Sequence, residues 1–245
     1  MQPHVTALIC RLLEIACQPP PDRQQQQGVA KSIHPCLTGS PGTVVAPLYI
    51  PLVLDKDRQD IRLLTILPGI DDDINCSLAV VNLCKAVSYD ALSYVWGTPT
   101  PTKVIKVNDH AVDIGPNLFS ALYNLRSREK PLFLWVDALC INQQDDAEKS
   151  WQVAMMADIY RHAENVRVYV GEKGDAEPLF SFLNRDVTGD ELDDLDKAAA
   201  RSGTPILDLM RAYVDFSLRP WFSRIWVFQE FAVAPRPPIW HCERH

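Results

Sequence analysis

The sequence has no Cys-x-x-Cys pair, no Gly-x-Gly-x-x-Gly loop and no Gly-x-x-x-x-Gly-Lys-Ser/Thr loop. Its seven cysteines, at 10, 17, 36, 76, 84, 140 and 242, are odd in number and dispersed. That argues against a disulfide framework or a zinc module and fits a reducing compartment. The missing glycine loops remove the ordinary dinucleotide and P-loop readings. Positive charge is also short, with 24 Lys and Arg against 31 Asp and Glu and a net charge of −7. A general electrostatic affinity for nucleic acid or anionic lipid is therefore not expected. No stretch approaches the roughly 18 apolar residues that span a bilayer. The N-terminal apolar run is broken by Arg11 and Glu14, which spoils a signal-peptide core. These absences together predict a cytoplasmic protein with neither a nucleic-acid partner nor a membrane span.

What is present divides the chain in two. Residues 1–58 read as a low-complexity, disordered leader: a short amphipathic helix over 6–17, then Pro19-Pro-Pro-Asp-Arg-Gln-Gln-Gln-Gln27 and a Pro/Gly/Ser-rich passage. Residues 59–245 read as one domain. Strands are predicted over 62–67 and 78–83 around the acidic turn Asp71-Asp-Asp73. A buried strand follows over 91–95, then a hairpin of 104–107 and 111–114 around Asn108-Asp109-His110. Pro116 opens a helix, and 132–136 is the next apolar strand. Asp145 and Glu148 suggest a capping box for one helix over 147–163, with Trp151, Met155 and Ile159 as its stripe. A strand over 166–170, a helix over 205–218 and a fourth strand over 239–242 complete the reading. Short apolar strands alternating with helices predict an α/β fold with a doubly wound, mostly parallel sheet and added β-hairpins, ending short of a fifth strand.

Three blocks stand out. The first is Tyr89-Asp-Ala-Leu-Ser-Tyr-Val-Trp-Gly97 and the second is Leu134-Trp-Val-Asp-Ala-Leu-Cys-Ile-Asn-Gln143. The third is Arg219-Pro-Trp-Phe-Ser-Arg-Ile-Trp-Val-Phe-Gln-Glu230. The first two end at strand ends, where the binding crevice of a doubly wound sheet lies. Pro220 suits a first helical turn, and a helix from there sets Ser223, Trp226 and Glu230 on one face. Glu230 is thereby a candidate catalytic carboxylate beside an aromatic wall; the alternative is a packing helix with Glu230 solvated or paired to Arg224 or Arg219. Trp96 equally suits packing and Gly97 a turn, and Asp137 and Asn142 suit loop capping. Cys140 has no obvious histidine partner, because His110 and His162 fall in a turn and a helix. The acidic stretch 186–196 lacks the ligand spacing of a calcium loop. His241-Cys242-x-x-His245 offers three zinc-type ligands without a second cluster. No metal site is expected.

In these three ordered blocks the chain resembles the heterokaryon-incompatibility (HET) domains of filamentous fungi, over roughly 61–242. The opening Ile61-Arg-Leu-Leu-Thr-Ile-Leu-Pro-Gly69 is similar to the start of such domains. The resemblance implies an effector of fungal non-self recognition and programmed cell death. HET domains in turn look distantly similar to Toll/interleukin-receptor (TIR) domains and their flavodoxin-like fold. In the enzymatic TIR domains a helix glutamate after a tryptophan cleaves nicotinamide from NAD. Carried over, that role falls on Glu230, with Trp96, Gly97, Asp137, Asn142, Arg224 and Trp226 as substrate-binding candidates. NAD is then the substrate and no cofactor is needed. The implied partner is another copy or another HET/TIR-type protein, and a non-catalytic, self-associating scaffold remains the alternative. One carboxylate suffices for such a reaction, since nicotinamide leaves a cationic pyridinium as a neutral group and needs no general acid.

Overall fold

The computed structural model describes residues 45–85, 87–172, 174, 179, 203–236 and 238–243. The chain divides into two compact units, Leu37–Lys173 with Pro220–His245 and, separately, Met1–Cys36 with Gly174–Arg219. The helix expected over 6–17, the acidic stretch 186–196 and His245 lie outside the described residues.

The larger unit holds one mixed sheet of eight strands. They are β1 (Asp60–Ile66), β2 (Asn75–Asn82), β3 (Asp90–Tyr94), β4 (Lys103–Val107), β5 (His110–Ile114), β6 (Leu132–Trp135), β7 (Asn165–Tyr169) and β8 (Ile239–His241). The α-helices among the described residues include α1 (Val45–Tyr49), α2 (Pro116–Leu125), α3 (Asp137–Cys140), α4 (Asp146–Ala154), α5 (Met156–His162), α6 (Ile206–Ser217) and α7 (Val227–Ala232). Of these helices α6 belongs to the smaller unit, and Leu209, Ala212 and Phe216 are its buried residues.

Strand order is β5-β4-β2-β1-β6-β3-β7-β8. β6, β3, β7 and β8 run parallel to one another and β2 runs parallel to β4, whereas β1 pairs antiparallel with both β2 and β6, and β4 with β5. Four of the seven pairings are parallel and three antiparallel, so the sheet is a mixed α/β sheet, with the two hairpins hydrogen-bonded into it. β1 is buried along nearly its whole length because it has a strand on each side. The β4–β5 turn is the two-residue kind, with Asn108 and Asp109 at φ 47° and 66°. His110 already belongs to β5, and Asn108 clasps the Leu78 backbone through both side-chain polar atoms.

Side-chain alternation sets helices on both faces of the parallel part. Tyr94 and Tyr169 share one face, where the Tyr169 hydroxyl meets Ser120 of α2 at 2.6 Å. Ala91 and Trp135 share the other, where Tyr160 of α5 packs edge-on against Trp135 at 5.6 Å. The single helix expected over 147–163 splits at Met155 into α4 and α5. Asp145 caps α4 as expected, accepting from Ala147 N and Glu148 N at 3.0 Å. Glu148 does not return the bond, because its carboxylate pairs with Arg62 instead.

Arg62 is 1% exposed and donates four hydrogen bonds. It donates to both Glu148 oxygens at 2.6 and 2.9 Å, to Leu52 O at 2.9 Å and to Cys140 O at 3.0 Å, and lies 4.7 Å from the Tyr49 ring centroid. Tyr49 donates to Leu139 O at 3.0 Å, and Glu148 accepts from Asn142 N at 2.7 Å. This network pins the loop after β6 to α1, β1 and α4. The leader expected to run to residue 58 is accordingly corrected over 45–58, where Leu48 and Tyr49 are core residues.

Candidate functional site

The third sequence block does not form the single helix expected from Pro220. A 3-10 turn covers Pro220–Ser223, the chain turns through 224–226, and α7 begins at Val227. Ser223 bonds back to Pro220 O at 2.8 Å and is exposed, so the shared face of Ser223, Trp226 and Glu230 does not exist. The break has a consequence for charge. Residues six apart lie about 120° apart around a continuous helix and nearly two turns along it, yet here Arg224 reaches Glu230 with both terminal guanidinium nitrogens, at 2.9 Å to Oε1 and 3.2 Å to Oε2.

Glu230 is 1% exposed. Besides Arg224, its Oε2 accepts a hydrogen bond from Ser93 of β3. Ser93 in turn accepts from the indole Nε1 of Trp221 at 2.8 Å. Trp221 is fully buried and edge-on to Trp240 of β8 at 5.1 Å. Glu230 is thus tied to the carboxyl-terminal half of β3, with an aromatic cluster behind it.

The second block meets the first at the neighbouring strand end. Trp96 Nε1 donates to Asp137 Oδ2 at 2.8 Å, and the other Asp137 oxygen accepts from Ala138 N at 2.8 Å. Burial and the negative charge of Glu230 push the Asp137 carboxyl up to about 6, against the opposing pull of Arg224 and these two hydrogen bonds. Burial alone would lower the Arg224 pKa, but Glu230 and Asp137 outweigh it and raise it. The buried hydroxyls of Tyr94 and Tyr160 are pushed well above the tyrosine range, first by burial and then by these carboxylates. Asp137, Arg224 and Glu230 therefore form one electrostatic cluster, with Tyr94 and Tyr160 beside it.

The remaining predicted residues serve this frame. Gly97 has φ 70°, and a Cβ there would lie 2.5 Å from Asn117 Nδ2, so a side chain would be strained and would have to displace the Asn117 amide. Asn142 accepts from Gln144 N at 3.2 Å through its side chain, a turn-stabilising contact. Trp226 is half-buried, and its carbonyl accepts from Glu230 N at 3.0 Å. Arg224 pairs with Glu230 rather than with Asp137. Burial lifts the Cys140 thiol to about 12, which keeps it in the unreactive form.

The sequence reading missed Ser93, Trp221 and Tyr160. A signal existed for Ser93, a hydroxyl inside a fully buried strand that must find a partner. Among the described residues, no group of three or more His, Cys, Asp or Glu is placed to hold a metal ion, and no helix is long and apolar enough to cross a membrane.

The family model for heterokaryon incompatibility protein (HET) matches residues 89–230, from the residue before β3 to Glu230 itself. The chain is also 34% identical over 227 residues to heterokaryon incompatibility protein 6, OR allele, of Neurospora crassa. That alignment covers 76% of this chain and 33% of the relative, so the chain spans about a third of that protein's length. No solved structure matches it. On the three blocks, the family match and this relative, the chain belongs to the heterokaryon incompatibility (HET) family.

Proposed function

We propose that this domain is an effector of fungal heterokaryon incompatibility and regulated cell death, and that the cluster around Glu230 is its site for hydrolysing NAD to nicotinamide and ADP-ribose. The observation that carries the reading is the attachment of the buried Glu230 carboxylate to Ser93, near the carboxyl end of β3. In chain order the parallel strands β3, β6, β7 and β8 lie second-first-third-fourth, an order that supports a flavodoxin-like reading of this part of the sheet. The order reverses between β3 and β7, where such sheets bind their ligands. The relative's name supports the biological role.

The chemistry asks little of the protein. Cleavage of the nicotinamide–ribose bond sends its electron pair to the pyridinium, which leaves neutral. A carboxylate then stabilises the oxocarbenium-like ribose until water adds and loses a proton to solvent. In the arrangement described, Glu230 has both oxygens occupied. Substrate must therefore draw Arg224 away, and the NAD pyrophosphate is an anion that a guanidinium can bind bidentately. Trp96 and Trp226 supply aromatic surface for the nicotinamide or adenine ring, and Asp137 and Asn142 shape the loop.

The second reading is a non-catalytic, self-associating scaffold. It is favoured by the same ion pair, because a carboxylate engaged by Arg224 and Ser93 already has a structural role. Glu230→Gln separates the two. Catalysis predicts that NAD cleavage by the purified domain falls at least ~100-fold and that toxicity on expression is lost, with the variant still folded by circular dichroism. A folded, toxic Glu230→Gln protein with cellular NAD unchanged selects the scaffold.

A further inference from the structure

Ser93 is 1% exposed and sits between two partners of fixed character. The indole N–H of Trp221 can only donate, so the Ser93 oxygen accepts there, and its single proton is directed to Glu230 Oε2. Neither Ser93 nor Trp221 is easily moved. Ser93 lies in β3, paired opposite Val168 of β7, and Trp221 is held against Trp240 and Phe222 at 5.1 and 5.0 Å. Arg224, on the other side of the carboxylate, is the more accessible group, with 18% of its side chain exposed against 2% for Glu230. An entering anion therefore meets the guanidinium before the hydroxyl.

We propose that Ser93, oriented by Trp221, is the positioning residue that holds the Glu230 carboxylate on β3 when Arg224 exchanges Glu230 for the substrate's anionic group. This rests on Glu230 being the catalytic carboxylate. The bond from Ser93 is charge-assisted and does not depend on Arg224, so it survives the exchange. Without it the freed carboxylate samples other rotamers, and the loss falls on turnover rather than on binding.

The test compares wild type, Ser93→Ala, Ser93→Thr and Glu230→Gln with NAD as substrate, alongside the Trp221 indole N–H resonance in labelled protein. Ser93→Ala is expected to lower kcat about tenfold or more with KM within about twofold, and Ser93→Thr, which keeps the hydroxyl, to recover most of it. Wild-type turnover by Ser93→Ala, with Glu230→Gln inactive, overturns the proposal. If wild type itself does not cleave NAD, the NAD reading fails, and the resonance decides Ser93 separately. A Trp221 signal that moves on Glu230→Gln, but no longer moves in the Ser93→Ala background, establishes the Trp221–Ser93–Glu230 connection. A signal indifferent to Glu230→Gln removes it. Should Ser93→Ala fail to fold, the response of the Trp221 signal to Glu230→Gln alone gives the same decision.

Discussion

Arg224 and Glu230 are mutually dependent because each neutralises a charge that the other holds out of water. Arg224→Met leaves the Glu230 carboxylate buried without its cation, at an expected cost of about 3 kcal/mol, the low end for a broken buried pair because Arg224 keeps some solvent contact. Adding Glu230→Gln should return much of that loss, and urea unfolding of the single and double variants measures it. Asp137 makes a prediction in pH. Its carboxyl is raised in the folded state to about 6 from an ordinary 3.8, so folding favours the protonated form. Its stabilising contribution is complete below about pH 4 and is lost as pH rises to about 6, a change on the order of 3 kcal/mol. Asp137→Asn should flatten stability across that window in thermal melts at stepped pH. An unchanged slope would show that Asp137 ionises freely. At this scale Glu230 was legible in the sequence from its place after Trp226, whereas its partner was left open between Arg224 and Arg219. That choice depended on a helix break no spacing rule contains.

Among the elements, the stretch 45–58 holds the site loop from below. Tyr49 and the Leu52 carbonyl meet Arg62 and the loop after β6, which carries Asp137 and Asn142. A chain starting at residue 59 should consequently be less stable than one starting at 45. Tyr49→Phe should cost about 1 kcal/mol for the lost hydrogen bond, and both are read by chemical denaturation. If the two truncations unfold at the same midpoint, α1 does not support the domain. Gly97→Ala should cost about 1–3 kcal/mol, since its positive φ and the neighbouring Asn117 amide both oppose a methyl group. The strands, α2 and the β4–β5 hairpin were legible because alternation, Pro116 and the Asn-Asp turn are local signals. α1 was hidden in a Pro-rich context. The break at Met155 carries no local breaker, and there the buried face passes to Met156, Ile159 and Tyr160.

For the molecule as a whole, the proposed reaction and the scaffold alternative both predict self-association, and they differ in what it does. If assembly activates the enzyme, NAD cleaved per molecule should rise with protein concentration in a dilution series. A constant specific activity would exclude proximity activation while leaving cleavage itself intact. The relative is about three times longer than the aligned portion, so the activating partner is sought by expressing this domain within and apart from such longer chains.

Local sequence determined the family, the strand and helix alternation, and the three blocks, because turn residues, hydrophobic period and motif order need only neighbours along the chain. It also placed Trp96, Asp137 and Glu230 among the residues of interest. Only the tertiary structure decided that β1 is an antiparallel centre strand, since that needs the partners on both sides. It alone brought Ser93 and Trp221, 128 residues apart, to one hydroxyl, and Arg224 to Glu230 across a helix break. Those contacts depend on where the sheet is covered, and burial is what gives them their strength: with water excluded, each donor must find a protein acceptor, and the charge on Glu230 must be matched from within.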